Sequence, residues 1–343
     1  MVYRVGLDIS GGDYAPLEPL KGAYLATKEL DVHLVLIGNK DEIEKEAAKE
    51  GIDLSKFSIV EAKEKIDMSD FPVSSVRRKR DSSIVKGILL LKEGKIDAFV
   101  SCGNTGAVVC AATLEVGLIE GIERAGIAVL VPTLKGICLI IDVGANIDPK
   151  PLHLFQYGIM ASVYYSLVLG RNNPSVGLLS IGEEATKGPD LIKNTHRLFA
   201  QATLNFVGNL EPRDIFLGKC DCIVCDGYVG NAVLKVSEGF AEAMEKFLLD
   251  NTRKDFLGKL GFLFVKQSLK GFKKITDYAE YGGAPLLGID GVVIIGHGRS
   301  HAYAVKNAIK VAIQELNRDL NKEIKRRVDE VCQDSRIRQI LTS

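Results

Sequence analysis

Short β-branched runs that end in a glycine turn and pass straight into a helical pattern recur along this chain. The sharpest is Cys225-Asp226-Gly227-Tyr228-Val229-Gly230-Asn231, set between the apolar pair Ile223–Val224 and the helical spacing of Ala232, Val233 and Val236. Four more turns share its character: Asp8-Ile9-Ser10-Gly11-Gly12-Asp13, Ser101-Cys102-Gly103-Asn104-Thr105-Gly106, Asp142-Val143-Gly144-Ala145-Asn146 and Gly282-Gly283-Ala284-Pro285. A strand–turn–helix junction aims backbone N–H groups and the positive end of a helix dipole at one spot, where an anion can sit. Several such turns with Asp, Asn, Ser or Thr at the strand exit point to one polar cleft built from many loops.

The rhythm between the turns supports a mostly parallel sheet covered on both faces, a three-layer Rossmann-like α/β/α fold. Strands are expected at Val5–Asp8, His33–Ile37, Ala98–Ser101, Ile127–Val131, Ile137–Asp142 and Val176–Ile181. Helices are expected at Pro16–Lys28, Asp41–Glu50, Ser82–Lys92, Thr105–Val116 and Leu152–Leu169. Pro132-Thr133-Leu134-Lys135-Gly136 reads as a hairpin turn, so an antiparallel pair interrupts the parallel order. No domain boundary is visible, and residues 1–343 read as one α/β domain. Residues 302–343 read as charged helices packed on its outside.

Lys+Arg and Asp+Glu both number 44, which argues against a general nucleic-acid binder. No signal-peptide pattern opens the chain, and no uninterrupted apolar run is long enough for a bilayer span. Seven Cys in 343 residues read as reduced thiols in a cytoplasmic protein. Cys220-x-Cys222-x-x-Cys225 has no nearby His or fourth Cys at a metal-site interval, so no metal is expected. A Rossmann G-x-G-x-x-G, a P-loop and a G-x-S-x-G elbow are missing, which disfavours a dinucleotide, a Walker-type nucleotide and a serine hydrolase; no cofactor is expected.

Phe240–Ile275 interleaves Phe247, Phe256, Phe262 and Phe264 with Arg253, Lys254, Lys259, Lys266 and Lys270. Such an amphipathic, locally basic helical hairpin (240–278) can lie on an anionic membrane or form a dimer interface. The run Arg77-Arg78-Lys79-Arg80 is either a solvated face or a site for phosphate or an acidic partner. Asn104 and Thr105 are anion ligands or helix caps, Asn146 a ligand or a turn former, and Lys187 an anion ligand or a solvated lysine. His297, between Gly296 and Gly298 after an apolar strand, is a general acid, an oxyanion donor or a structural His.

In order along the chain, Asp8-x-x-Gly-Gly-Asp13 with Ala15-Pro16, Ser101-x-Gly-Asn-Thr-Gly-Ala107, Asp142-Val-Gly-Ala-Asn146 and Gly182-Glu-Glu184 with Lys187-Gly188 are followed by further motifs. These are Phe206-Val-Gly-Asn209 with Glu211, Asp226-Gly-Tyr-Val-Gly-Asn231 with Lys235, Tyr281-Gly-Gly-Ala-Pro-Leu-Leu-Gly288, and His297-Gly298 with Ser300. Jointly they closely resemble the bacterial phosphate acyltransferase (PlsX) family of phospholipid synthesis, to about residue 320. The first motif departs from the usual Asp-Ala-Met-Gly-Gly-Asp, and Cys102 replaces the usual Ala, with the glycines and polar groups kept.

The resemblance implies a fold related to phosphotransacetylases and isocitrate-type dehydrogenases. It implies transfer of a long-chain acyl group from acyl-[acyl carrier protein] to inorganic phosphate, the acyl phosphate then feeding a membrane glycerol-3-phosphate acyltransferase. It also implies a homodimer that associates peripherally with the membrane. The candidate catalytic residues are His297, Lys187 and Asn231. Candidate substrate contacts are Asn104, Thr105, Gly106, Asn146, Asp226 and Gly283, with Arg78 and Arg80 facing the carrier. A phosphotransacetylase-like enzyme using acyl-coenzyme A, and a non-catalytic membrane scaffold, are the competing readings.

Overall fold

The structure, a computed structural model, describes residues 2–252, 282–332, 334 and 337. Eleven strands form one sheet in the order β3-β2-β1-β4-β11-β10-β5-β6-β9-β7-β8. They are β1 Tyr3–Asp8, β2 Val32–Gly38, β3 Ser58–Glu61, β4 Ala98–Ser101, β5 Gly126–Thr133, β6 Gly136–Ile141, β7 Val176–Leu179, β8 Phe206–Leu210, β9 Cys222–Val224, β10 Ala284–Leu287 and β11 Val292–Ile295. The described helices are α1 Leu17–Glu29, α2 Lys40–Glu50, α3 Pro72–Arg78, α4 Ser83–Lys92, α5 Thr105–Ala111, α6 Pro151–Leu169, α7 Asp190–Gln201, α8 Asp214–Leu217, α9 Gly227–Thr252, α10 Ala302–Asn317 and α11 Leu320–Cys332.

Alternation along the strands sorts the core into layers. Phe99, Ile127, Ile140 and Ile223 point to one face, where Val76 of α3, Ile84 and Ile88 of α4, Ala107 of α5 and Val233 of α9 cover them. On the other face, Val5, Leu7, Ala98, Val100 and Ile294 meet α1, α2 and α10. Beside them, Ala128, Leu139, Ile141, Leu178 and Val224 meet α6, α7 and α11. The sheet is mostly parallel and sandwiched by helices, as the sequence implies.

The strand directions carry a consequence for the site. β11, β4, β1, β2 and β3 run parallel to one another, and so do β6, β9, β7 and β8. Three antiparallel pairings join the two sets, β11 to β10, β10 to β5 and β5 to β6. The sets therefore point their carboxyl ends in opposite directions. β10 is the hinge of this arrangement: Ala284 and Pro285 pair with β11, while Leu286 and Leu287 pair with β5. The expected hairpin is the β5–β6 pair, with Thr133 opposite Gly136.

Two expectations need correction. α10 is not an outer decoration, because Val305, Ala308, Ile309 and Ala312 are fully buried against α1 and β11. α6 is long and apolar enough to span a bilayer, but 67% of it is buried inside the fold, where Tyr157, Tyr164 and Phe155 fill the core. Of the expected 240–278 hairpin, only the part up to Thr252, the end of α9, is described; residues 253–281 lie outside the described residues. Within α9, Val236, Phe240 and Phe247 are exposed.

Glu315 of α10 is buried, its Oε1 has no hydrogen-bond partner among the described residues, and burial pushes its carboxyl well above the usual range. A folded-state value raised above the unfolded one contributes stability below the unfolded value and loses it as pH rises through the folded one. Glu315→Met should therefore stabilise the protein at pH 8 by about 1–4 kcal/mol, with little gain at pH 4.5. Denaturant titration at both pH values checks this; an equal gain at both would locate the effect in packing rather than ionisation.

Candidate active site

Adjacent parallel strands β1, β4 and β11 end side by side, and three loops leave them together. Asp8 closes β1 and is buried. Its carboxylate accepts from the Ser10 N–H at 3.0 Å and from Ser101 Oγ at 2.7 Å, and Ser101 Oγ accepts from the Gly103 N–H at 3.0 Å. Burial raises the Asp8 carboxyl, opposed by hydrogen bonds from Ser83, Ser101, Ser10 and Gly11. Gly11 lies flat against this knot, where any Cβ would overlap Asp8 Oδ2. The Asp13 N–H donates to the Gly298 carbonyl at 2.8 Å, tying the first loop to the one that carries His297.

Asn104 serves this lacing. Its Oδ1 accepts from the Ala107 N–H at 3.0 Å, the N-cap of α5. Its Nδ2 faces the carbonyls of Asp67, Met68 and Asp70 at 3.1, 3.2 and 3.1 Å. Two amide protons facing three acceptors leave no donor for a ligand. Of the two sequence readings, the cap describes this side chain. Thr105 opens α5, and Gly106 packs on Pro72 of α3, 2.6 Å from where a Gly106 Cβ would stand. Gly283 sits just before β10, between Ile294 and Ala308.

The second group of loops forms at the carboxyl ends of β6 and β9. Asp142 is fully buried; its Oδ1 accepts from the N–H groups of Ile127, Gly144 and Ala145 at 2.9, 3.1 and 3.0 Å, and its Oδ2 from Asn146 at 2.7 Å. Burial raises its carboxyl and these four donors oppose the rise. Asn146 spends its amide on Ala125 O at 2.6 Å and Tyr157 Oη at 2.7 Å, which makes it a loop former. Its carbonyl accepts from the Gly227 N–H at 2.8 Å, at the start of α9.

α9 joins the two groups. Asp226 Oδ1 accepts from the Val229 N–H at 2.8 Å and caps the helix. Gly230 presses on the end of β6, where a Cβ would overlap the Asp142 carbonyl oxygen. This contact fixes the rotation of the helix. Asn231 then stands over Gly144, its Cβ 3.9 Å from where a Gly144 side chain would begin. One turn on, Lys235 Nζ lies 3.4 Å from His297 Nε2 and 2.8 Å from Glu238 Oε2. His297 Nδ1 accepts from the Arg299 N–H at 3.1 Å, so the neutral ring carries its proton on Nε2. Burial holds His297 below the ordinary imidazole value, helped by the Lys235 charge and opposed by Glu238. Asn231 and His297 are thus brought together through one helix face. Lys235 appears in the sequence only as part of a motif; its i, i+4 spacing from Asn231 is the signal that places it on the same face.

A cleft of about 320 Å³ opens between the Gly12–Asp13 turn and the loop of Lys65, Asp67, Met68 and Ser69. Met68 Cε comes within 3.2 Å of where a Gly298 Cβ would stand. Lys187 lies in the loop after β7, which runs beside β9 with Leu178 opposite Val224. Its side chain folds over Gly182, with Cγ 3.1 Å from the Gly182 Cβ position, and its loop is held by Asn209 Nδ2 donating to the Glu184 carbonyl at 3.0 Å. Lys187 thus lies on a loop of the β6–β9–β7 set, whereas His297 follows β11.

The four-cation run divides. Lys79 pairs with Asp70 at 2.6 Å and donates to the Lys65 carbonyl at 2.8 Å, and Arg80 pairs with Glu115. These two tie loops together, with the Arg80 guanidinium still exposed beside Glu115. Arg77 and Arg78 are exposed beside Phe71 and Val73, around an open groove of about 560 Å³. The Cys220, Cys222 and Cys225 thiols are buried and unbridged.

Residues 3–323 match the family described as Fatty acid synthesis protein. The chain is 46% identical over 309 residues to the Phosphate acyltransferase of Heliobacterium modesticaldum, covering 89% of this chain and 92% of that one. It is 44% identical over 306 residues to the Phosphate acyltransferase of Pelotomaculum thermopropionicum, covering 89% of each. The chain belongs to the phosphate acyltransferase (PlsX) family. It is accordingly an acyltransferase. Among solved structures, a phosphotransacetylase from Streptococcus pyogenes superposes with a TM-score of 0.60 at 17% identity, over 92% of this chain and 94% of that one. A 4-hydroxythreonine-4-phosphate dehydrogenase from Klebsiella pneumoniae gives 0.51 at 10%, over 91% and 98%. These two likenesses establish the fold, shared with phosphotransacetylases and a dehydrogenase.

Gly230→Ala should unseat the first turn of α9 and destabilise the protein by about 1–3 kcal/mol. Gly239→Ala, on the same helix with nothing among the described residues within 4 Å of its Cβ position, should instead stabilise by about 0.5–1 kcal/mol. Thermal melts of the two variants check the contrast; a neutral Gly230→Ala would mean that the helix does not depend on its seat at Asp142.

Proposed function

We propose that this acyltransferase moves a long-chain fatty acyl group from acyl-[acyl carrier protein] to inorganic phosphate, making acyl phosphate for glycerophospholipid synthesis. The observation that carries the reading is a neutral, half-buried His297 set against the Lys235 ammonium where loops from both strand sets meet, in a chain related over 89% of its length to phosphate acyltransferases. In this mechanism a phosphate oxygen attacks the thioester carbonyl. The new C–O bond forms, the C–S bond breaks, and the thiolate leaves with a proton. The His297 Nε2–H is suited to donate to the tetrahedral oxyanion or to the departing sulfur. A thioester needs no covalent acyl-enzyme, so positioning the two substrates is the main task.

Acyl carrier proteins are strongly acidic. Arg77 and Arg78, with exposed Phe71 and Val73 beside them, offer the matching charge and an apolar contact, and we assign carrier docking there. We assign Lys187 and Asn231, on the loops after β7 and β9, to complete the catalytic set. We further propose a cytoplasmic homodimer held peripherally at the membrane through residues 240–278. The exposed apolar residues of α9 support an interfacial role for the start of that segment. The acyl phosphate would pass to a membrane glycerol-3-phosphate acyltransferase.

Incubation of the full chain with palmitoyl-carrier, phosphate and hydroxylamine should yield acyl hydroxamate only when phosphate is present. Acetyl-coenzyme A used in preference to the carrier would favour the phosphotransacetylase-like alternative, and no product from either donor would favour a scaffold. Reversing Arg77 and Arg78 to Glu together should raise the KM for carrier about tenfold and flatten its salt dependence. An unchanged KM moves docking elsewhere.

A further inference from the structure

We infer that the cleft between the Gly12–Asp13 turn and the 65–69 loop receives the prosthetic arm of the acyl carrier, with Lys65 set for the arm's phosphodiester and Met68 for its apolar stretch. The inference rests on the acyl-carrier reading above and deepens it by naming where the donor's arm lies. The cleft holds about 320 Å³, at the lower end of the roughly 300–1,000 Å³ of small-ligand sites. Lys65, Asp67, Met68 and Ser69 are exposed on one wall, and Asp13 on the other.

Position links the cleft to both ends of the reaction. Ser69 lines the cleft, and Phe71 lines the groove at Arg77 and Arg78 where the carrier is assigned to dock. Their Cα atoms, two residues apart, are separated by at most about 7 Å. The other wall abuts the His297 loop: the Asp13 N–H donates to the Gly298 carbonyl at 2.8 Å, and Met68 Cε comes within 3.2 Å of the Gly298 Cβ position. A chain that leaves the groove and enters the cleft therefore arrives beside the His297 loop. The 65–69 wall is held in place. Asn104 Nδ2 faces the carbonyls of Asp67, Met68 and Asp70, and Lys79 pairs with Asp70 at 2.6 Å and donates to the Lys65 carbonyl at 2.8 Å. None of these bonds uses the side chain of Lys65, Met68 or Ser69.

Charge selects the occupant. Among the described residues of the lining, Lys65 is the one cation, with Asp13 and Asp67 as the carboxylates and Lys65 Nζ 3.9 Å from Asp67 Oδ1. A phosphate dianion would meet two like charges for one opposite charge. The carrier's pantetheine arm is a chain of amides with a single negative charge at its phosphodiester. Its amide N–H groups can donate to Asp13 and Asp67, its charge can pair with Lys65, and its methyl groups can lie on Met68.

Calorimetric titration of the full chain with carrier that bears the arm, and with carrier that lacks it, tests the assignment without turnover. The parent chain should bind the arm-bearing form at least about fivefold more tightly. Lys65→Met, and Met68→Trp, which fills the cleft, should each remove most of that difference and leave the affinity for armless carrier unchanged. Reversing Arg77 and Arg78 to Glu should instead weaken both forms alike. In the acyl-transfer assay, Lys65→Met should raise the KM for acyl carrier about fivefold and keep the KM for inorganic phosphate within about twofold. A rise confined to the phosphate KM would give the cleft to the nucleophile and overturn the inference. Equal binding of the two carrier forms by the parent chain, with acyl hydroxamate still formed, refutes the arm site and leaves the reaction standing. A difference that survives in both variants also refutes it. Failure of the parent chain to bind either form refutes the carrier reading and the inference together.

Discussion

The short central strand β10 is the constraint from which the rest follows. It has four residues, two paired with β11 at the edge of the forward set and two with β5, whose hairpin leads into the reversed set. Longer pairing on either side would hold the opposed carboxyl ends a full strand length apart, at roughly 3.3 Å per residue. The brief overlap instead lets loops from oppositely directed strands approach the same region. A single carboxyl edge, the usual ligand site of a parallel sheet, is replaced by two edges that meet at the middle. α9 spans that meeting point, with Asn231 over the β6 loop and Lys235 against the β11 loop.

Two buried carboxylates make this junction rigid. Asp8 and Asp142 each close a strand and gather donors from the loops around them: hydroxyls and backbone N–H groups for Asp8, four backbone N–H groups for Asp142. Such hydrogen bonds to a charged acceptor are roughly twice as strong as neutral ones, which offsets the cost of burying the group. The pattern also separates roles among the acids. Carboxylates that knot loops lie inside, out of a ligand's reach. Asp13 and Glu238, which face His297, are the ones an anion would meet.

Much of this was legible in the sequence where periodicity and apolar content agreed. β4 falls on the expected residues, the β5–β6 hairpin is where Pro132–Gly136 puts it, and Ser82, the expected first residue of α4, is its N-cap. β3 escaped notice because an edge strand is only half-buried and Ser58-Ile59-Val60-Glu61 has no strong alternation. α3 was hidden by its charge: Pro72 at the helix start is its marker, yet the run of cations drew the reading toward a surface patch. The polar turns mark the loops that knot together at the strand ends, but residue type does not show which side chains are already engaged. Asn104 and Asn146 have the residue type of an anion ligand, and only the positions of distant carbonyls show that their amides are already spent. The opposed strand directions were invisible for the same reason, since periodicity reports burial and not orientation.

Net charge is zero, and many of the described cations are answered locally. Lys79, Arg80, Lys219 and Lys306 each pair with a carboxylate, so the charge that matters is set by where an ion pair is incomplete or poorly solvated. Two unit charges about 4 Å apart interact by about 1 kcal/mol in bulk water and about 4 kcal/mol at an effective dielectric constant near 20. The half-buried His297 loop moves the site toward the second figure. This also accounts for a neutral rather than charged imidazole at the junction. A protonated ring beside Lys235 would add like-charge repulsion, whereas the neutral one keeps a directional N–H and leaves the net charge to the lysine.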